Sequence, residues 1–351
     1  MNDTVTMKSL ADVCDILDSQ RIPVTARDRV KGCYPYYGAN GIQDYIDKYI
    51  FDDELVLLAE DGGNFGSKES PIAYRVSGKC WVNNHAHVLK PHDNTDVDYL
   101  CYALMFYNTE GLVNGATRQK LTQSAMKKMI IPLCDLKRQQ EIVNELNAVS
   151  RLISLRQRQA EKLDELVKAR FVEMFGDPVL NTRHLPSVSG TSLFKLSNGK
   201  AVPVEKRFDS GIPAYGGNGI SWYTDEALIN TDTLVVGRVG FQSGNVHFVY
   251  GPLWITDNAM YVTWYRKELI CLRFLNQLMK RVDFSRYQDA GDLKKITQKP
   301  FMKFEYILPS MNLQMEFVNF MDSVNCEKER IQRSAALLAT LKRSLMQQYF
   351  G

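Results

Sequence analysis

Pro35-Tyr36-Tyr37-Gly38-Ala39-Asn40-Gly41-Ile42 is written a second time as Pro213-Ala214-Tyr215-Gly216-Gly217-Asn218-Gly219-Ile220, at an offset of 178 residues. The offset persists from Gly62 to Gly240. It shortens to 173 where Trp81-Val82-Asn83-Asn84-His85-Ala86 answers Trp254-Ile255-Thr256-Asp257-Asn258-Ala259. It is 175 where Lys120-Leu121-Thr122-Gln123 answers Lys295-Ile296-Thr297-Gln298. A long helical segment closes each copy, ending Phe175-Gly176 and Phe350-Gly351. The chain therefore reads as a tandem duplication of a globular part followed by a helix. Its period is too long for a solenoid, which repeats every ~20–50 residues. Two similar readers on one spacer suit a target that is itself split in two.

Composition narrows the class. The 351 residues fit about two domains, and 45% apolar with 24% charged residues is ordinary for a globular protein. No apolar run approaches the ~18 residues of a membrane span, so no membrane partner is expected. The start, Met1-Asn2-Asp3-Thr4-Val5, shows no secretory pattern. Seven scattered cysteines without a Cys-x-x-Cys pair fit free thiols in a reducing cytoplasm, and no zinc site is expected. Net charge is only +3, but it is uneven. Residues 112–138 hold six bases and one acid; the matching stretch 273–303 holds eight bases and three acids. Recurrence in both copies points to a polyanion footprint. Residues 44–61 hold seven acids and one lysine.

Short apolar runs bounded by Gly, Asn and Asp, such as Leu55-Val56-Leu57-Leu58-Ala59 and Leu234-Val235-Val236, read as buried strands. Tyr99 to Tyr107 and Leu269 to Arg281 read as helices. The fold class is α+β: two similar mixed α/β domains and two long helices. The boundaries are 1–134, first domain; 135–176, first helix; 177–311, second domain; and 312–351, second helix. Each helix follows a proline (Pro132, Pro309) and a capping residue type, Asp135 or Asn312. Gly176 and Pro178 stop the first.

The helices carry a seam with alternating steps of four and three. In the first it runs Ile142, Leu146, Val149, Ile153, Arg156, Ala160, Leu163, Val167, Arg170 and Met174. An offset of 175 gives Phe317, Met321, Val324, Lys328, Ile331, Ala335, Leu338, Lys342, Leu345 and Tyr349. Laid antiparallel with Ile142 meeting Tyr349, no seam cation faces another. Arg156 meets Ala335, Arg170 meets Met321, Lys328 meets Leu163 and Lys342 meets Val149. The long stems lie along apolar neighbours. An intramolecular antiparallel coiled coil is expected ahead of two helices packed on their own domains or a parallel homodimer, because the duplication supplies a partner in the same chain.

Catalytic signatures are absent from the sequence. It has no Walker loop, no dinucleotide fingerprint and no Pro-Pro-aromatic tetrapeptide. His85 and His87 form a His-x-His pair, but their counterparts are Asn258 and Met260. Glu60 and Asp61 align with Arg238 and Val239. Catalysis copied with a domain keeps its residues; readers of different targets vary at matched positions. No catalytic residue, no metal site and no cofactor bound by this chain are expected.

The paired Tyr-Gly-x-Asn-Gly-Ile segments, the Trp81 and Trp254 strands and the Lys-Leu/Ile-Thr-Gln segments resemble the specificity subunits of type I restriction-modification enzymes. So do the Ile131-Pro132 and Leu308-Pro309 approaches to the long helices, and the Phe-Gly ends. The resemblance spans the chain. It implies a DNA-binding, non-catalytic subunit whose two target recognition domains each read half of an interrupted double-stranded site. It also implies that the helices set the spacing and dock two modification methyltransferase subunits. Restriction subunits, with translocase and nuclease roles, join that core. S-adenosylmethionine, ATP and Mg are used by those partners. Lys137-Arg138 has no basic counterpart at the second helix start, so the helices need not treat partners alike.

Sequence-specific binding needs phosphate contacts for register and base-edge contacts for choice. Arg118, Lys120, Lys294 and Lys295, beside the repeated Thr-Gln, are the phosphate candidates. Glu60, Asp61 and Asn64 in one copy, Arg238 and Gln242 in the other, are the base-edge candidates. Arg suits guanine, Asn and Gln suit adenine, and an acid accepts from cytosine. Taken singly, each also suits a salt bridge or turn cap. Tyr37, Gly38, Asn40 and Gly41 suit a hairpin turn. Three alternatives stay open: a subunit of another multisubunit, type IIB-like restriction enzyme; an enzyme acting on nucleic acid alone; and a coiled-coil protein that binds something other than DNA.

Overall fold

The computed structural model describes residues 5–115, 119–291 and 294–351. The chain divides into two compact units, residues 1–157 with 332–351 and residues 158–331.

Unit 1 begins with β1 (Thr6–Ser9), α1 (Leu10–Val13) and β2 (Cys14–Ile16). A strand series follows: β3 (Lys31–Gly38), β4 (Gly41–Ile46), β5 (Phe51–Ala59), β6 (Ala73–Val82) and β7 (Ala86–Pro91). Then come α2 (Val97–Met105), β8 (Val113–Asn114), β9 (Lys120–Leu121), α3 (Gln123–Met126), β10 (Ile130–Leu133) and the first long helix, α4 (Leu136–Phe175). Six strands form one sheet in the order β2-β7-β5-β6-β3-β4. β5 is central, and Leu55 to Ala59 are wholly buried. Val56 and Leu58 join one apolar cluster, Leu55 and Leu57 another. A strand covered on both faces reads as an unbroken apolar run instead of an alternating one.

Unit 2 repeats the series. It comprises β11 (Ser187–Ser189), α5 (Gly190–Leu193), β12 (Phe194–Asn198), β13 (Ile212–Gly216), β14 (Gly219–Thr224) and β15 (Thr233–Gly237). These are followed by β16 (Val246–Val249), β17 (Trp254–Ile255), β18 (Ala259–Tyr265), α6 (Leu272–Met279), α7 (Lys299–Lys303), β19 (Glu305–Ile307) and α8 (Met311–Phe350), of which residues 332–350 belong to unit 1, as residues 158–175 of α4 belong to unit 2. The strand order is the same, except that β6 is replaced by the shorter β16 and β17 in separate sheets. Between them lies Gly251-Pro252. Proline has no amide hydrogen for the ladder, which stops the strand there.

The repeated octapeptide is a hairpin. Gly38 pairs with Gly41 and Gly216 with Gly219. Gly41 and Gly219 have φ of 107° and 128°, a region an L side chain rarely adopts. The Trp81 and Trp254 strands, which follow the change of offset, pair in parallel with the first strand of each hairpin. Tyr36 stands beside Trp81, and their counterparts Ala214 and Trp254 stand beside each other. Both indoles donate to a main-chain carbonyl, Trp81 to Ile22 (2.6 Å) and Trp254 to Lys200 (2.8 Å).

The long helices span 40 residues each, about 60 Å at ~1.5 Å per residue. Asp135 Oδ1 accepts from Arg138 N at 2.9 Å, as its capping role predicts. The second start differs from expectation. The helix begins at Met311, so Asn312 lies in the first turn and Ser310, itself a capping type, precedes it. A buried glutamine ties each helix to its own copy. Gln139 Nε2 donates to Asn94 O (3.0 Å) and Cys134 O (2.7 Å), and its Oε1 accepts from Asp96 N. Gln314 does the same with Leu269 O (2.8 Å), Pro309 O (2.9 Å) and Cys271 N. The α6 helix is shorter than predicted, because Leu269 and Ile270 turn back onto Arg266 O instead of opening it.

The two helices run antiparallel within each unit. In unit 1, Leu345, Leu338 and Tyr349 pack on a cluster containing Ile142, Leu146 and Val149. Tyr349 Oη donates to Glu145 (2.5 Å). In unit 2, Lys328 meets Asp164 (2.6 Å) and Arg170 meets Glu316 (2.9 Å). Val167 packs on a cluster with Met321, and Val324 and Ile331 are buried. Leu163 is half-buried, and none of the ten seam positions of either helix is exposed. The phenylalanine ends cross over. Phe350 meets Tyr99 (5.1 Å) in unit 1, and Phe175 meets Phe274 (4.9 Å) in unit 2. Each copy's helix thus finishes against the domain of the other copy.

Candidate nucleic-acid interface

Where β5 ends, the chain leaves the sheet at Glu60. Glu60 N donates to His85 O (2.9 Å), and Leu121 N donates to Glu60 O (2.7 Å). In unit 2 the same two bonds hold Arg238: its N donates to Asn258 O (2.9 Å), and Ile296 N donates to its O (2.9 Å). Gly62 N binds Gln119 O and Gly240 N binds Lys294 O. Asp61 bridges to Lys120, as Val239 does to Lys295. Duplication has therefore placed an acid and a base at one backbone position.

The surroundings differ with the charge. Glu60 lies 2.6 Å from Arg21 and 3.0 Å from Lys120, and the Glu60 and Arg21 side chains are each only 12% exposed. His87, 1% exposed, has Nδ1 at 2.6 Å from Asp18 Oδ2, and its Nε2 donates to Leu121 O (2.9 Å). Val88 N and Gln123 Nε2 also donate to Asp18. Burial pushes the Asp18 carboxyl up, but the His87 hydrogen bond and charge, Val88 N–H and Arg21 outweigh it, so its pKa lies below the usual range. Glu60 is likewise lowered: burial opposes ionisation, and the hydrogen bonds from Arg21 and Lys120 prevail. Asp18, Glu60 and His87 bring potential ligand atoms within 4.8 Å of one another. Two cations already neutralise these carboxylates, so a further metal cation would meet repulsion.

In unit 2, Asn198 replaces Asp18 and Met260 replaces His87, while Gly199 stands where Arg21 would be. The cluster is gone. Arg238 Nη1 donates only weakly, to Asp257 O at 3.3 Å. Lys294 and Lys295 are exposed. The repeated Thr-Gln has a structural duty. Gln123 reaches Asp18 (3.1 Å) and Gln298 reaches Asn198 (3.5 Å), each tying the segment to the end of the first sheet strand.

The remaining candidates are placed as follows. Asp61 Oδ1 lies 2.5 Å from His85 Nδ1. Asn64 is half-buried, and its carbonyl accepts from Ser67 N. Gln242 is exposed on the β15–β16 loop, and its carbonyl accepts from Asn245 N. Arg118 lies outside the described residues. The structure thus gathers Glu60, Asp61 and Lys120 in one unit, and Arg238, Lys294 and Lys295 in the other. Asp18 and Arg21 have no motif to announce them; only an acid following a wholly apolar strand hints that a buried partner exists.

Residues 2–165 match the sequence model of the type I restriction modification DNA specificity domain. The chain carries a type I DNA specificity domain. A chain named a type I restriction enzyme specificity subunit in Haemophilus influenzae is 39% identical over 150 residues, covering 43% of this chain and 38% of that protein. The EcoprrI specificity subunit of Escherichia coli is 23% identical over 172 residues, covering 45% and 42%. The matched stretches thus span under half of these relatives. Over the whole chain the fold is that of a type I restriction-modification S subunit from M. genitalium, with TM-score 0.61, 16% identity, and coverage of 100% of this chain and 97% of that one. A chain from a structure of type I assembly and conformational transition gives the same TM-score at 15% identity, with coverage of 99% and 97%. Among the described residues, no helix is long and apolar enough to cross a membrane.

Proposed function

We propose that this chain is the DNA-reading specificity subunit of a type I restriction-modification assembly. Each target recognition domain, residues 1–134 and 177–311, reads one half of a bipartite double-stranded target. The two helices set the spacing and dock two methyltransferase subunits, which restriction subunits join. The chain itself is non-catalytic and works in the cytoplasm; S-adenosylmethionine, ATP and Mg serve its partners. Lys120, Lys294, Lys295 and Arg118 contact phosphate, and Asp61, Asn64, Arg238 and Gln242 contact base edges. Glu60, a base-edge candidate from the sequence, is instead taken up by Arg21 and Lys120 and positions Lys120.

One observation carries this reading: the same backbone position, at the end of the same buried strand, bears an ion-paired acid in one copy and a weakly bonded arginine in the other. Two copies of one scaffold with opposed chemistry at one place suit two different half-sites. Mapping methylation in a genome that expresses the chain with its methyltransferase tests it. The expected motif is two short elements separated by a fixed run of unspecified bases. A single uninterrupted motif refutes the reading.

A further inference from the structure

Phe241 is 88% exposed, more than any other large apolar side chain described. It sits at the tip of the loop joining β15 to β16, between Arg238 and Gln242 in sequence. The loop is not slack. Ser243 N donates to Gly240 O (3.0 Å), Gly244 N to Gly237 O (2.8 Å) and Asn245 N to Gln242 O (3.2 Å). Gln288 Nε2 donates to Phe241 O (3.3 Å) and Ser243 O (2.7 Å). The φ angles of 93° at Gly240 and 100° at Gly244 set the two bends. The backbone is bound down while the ring is held in water. At the 178-residue offset, unit 1 has Gly63 in this place, where an added Cβ would lie 2.4 Å from Ala59 Cβ. The apolar probe belongs to the second copy alone.

Resting on the DNA reading above, we infer that Phe241 is a specificity-determining residue that packs on the C5-methyl group of a thymine in the half-site read by the second domain. The methyl is the one apolar group that base pairs present in the major groove, and phenylalanine is among the side chains that meet it. Arg238 and Gln242 on the same loop carry donors for the polar edges of adjacent bases. The second half-site therefore contains a thymine next to the base these residues contact. The first domain, with glycine there, has no such requirement.

The test uses the chain assembled with its methyltransferase, on the duplex identified by methylation mapping. Each thymine is replaced in turn by deoxyuridine, which removes only the methyl. At one thymine of one half-site, the wild-type assembly loses about fourfold in affinity. Phe241→Ala binds about tenfold more weakly and no longer distinguishes thymine from deoxyuridine at that position. Phe241→Leu keeps part of the distinction. The methyl penalty persists at raised salt, since no charge is involved. An unchanged affinity in Phe241→Ala, or an undiminished deoxyuridine penalty in that variant, overturns the inference. So does brightening of a 2-aminopurine placed in the half-site, which reports a ring wedged between bases. If the wild-type assembly binds no DNA, the DNA reading falls as well, and that outcome is distinct from the other three.

Discussion

Glu60 and Arg238 show how one position can carry two chemistries on one backbone. Each is fixed by its own main-chain bonds, so the side chain is free to change if its neighbours change too. Asp18, Arg21 and His87 do so together, becoming Asn198, Gly199 and Met260. The acid of unit 1 is therefore a structural residue, held by Arg21 and Lys120. Replacing Glu60 by alanine leaves Arg21 buried without its closest partner and is expected to cost about 3 kcal/mol in urea unfolding. Arg238→Ala is expected to shift stability by less than about 0.5 kcal/mol. The pH dependence has a definite sign. Asp18 and Glu60 have folded-state pKa values below their ordinary ones, so folding binds fewer protons in that window. Their stabilisation is fully present above about pH 4.5 and lost as the pH falls through the lowered values. In Glu60→Gln the unfolding free energy falls less steeply below about pH 4. An identical slope contradicts the cluster's role. Beyond the hint of an acid after an apolar strand, none of this was legible in the sequence, because the ion pairs and hydrogen bonds join residues 39 to 105 positions apart.

At the scale of elements, periodicity was the informative signal. The four-three steps specified both long helices and their seam, since a repeated stripe has no other use than to be covered. Parallel pairing of β3 with β6 was hidden in the sequence, because the change of offset at Trp81 and Trp254 records a difference in length and not a direction of pairing. The start of α8 is ambiguous in the sequence because Ser310 and Asn312, two residues apart, are both capping types. Gln139 and Gln314 carry no signal in the sequence, as a glutamine in a charged helix looks like solvated surface. Their three bonds each satisfy main-chain groups where helix meets domain. Gln139→Ala is expected to cost about 2 kcal/mol, read from chemical denaturation. A loss below about 0.5 kcal/mol would mean that water takes over these bonds.

At the scale of the whole molecule, duplication supplied each helix with its partner and each domain with its counterpart. The repeat was visible in the octapeptide alone, and so was the division into two similar domains. What the domains contact was not visible, since on the proposed DNA reading base choice depends on which side chains a loop holds outward. If the helices set the spacing, inserting one heptad into each lengthens the gap in the methylated motif without altering its two elements. An unchanged gap contradicts the spacer role. On the proposed function, the two domains read independently of each other. Methylation mapping with the double variant Arg238→Ala, Gln242→Ala tests it most directly. One half of the motif should relax while the other half and the gap stay as in the wild type. Relaxation of both halves together, or of neither, would contradict the account.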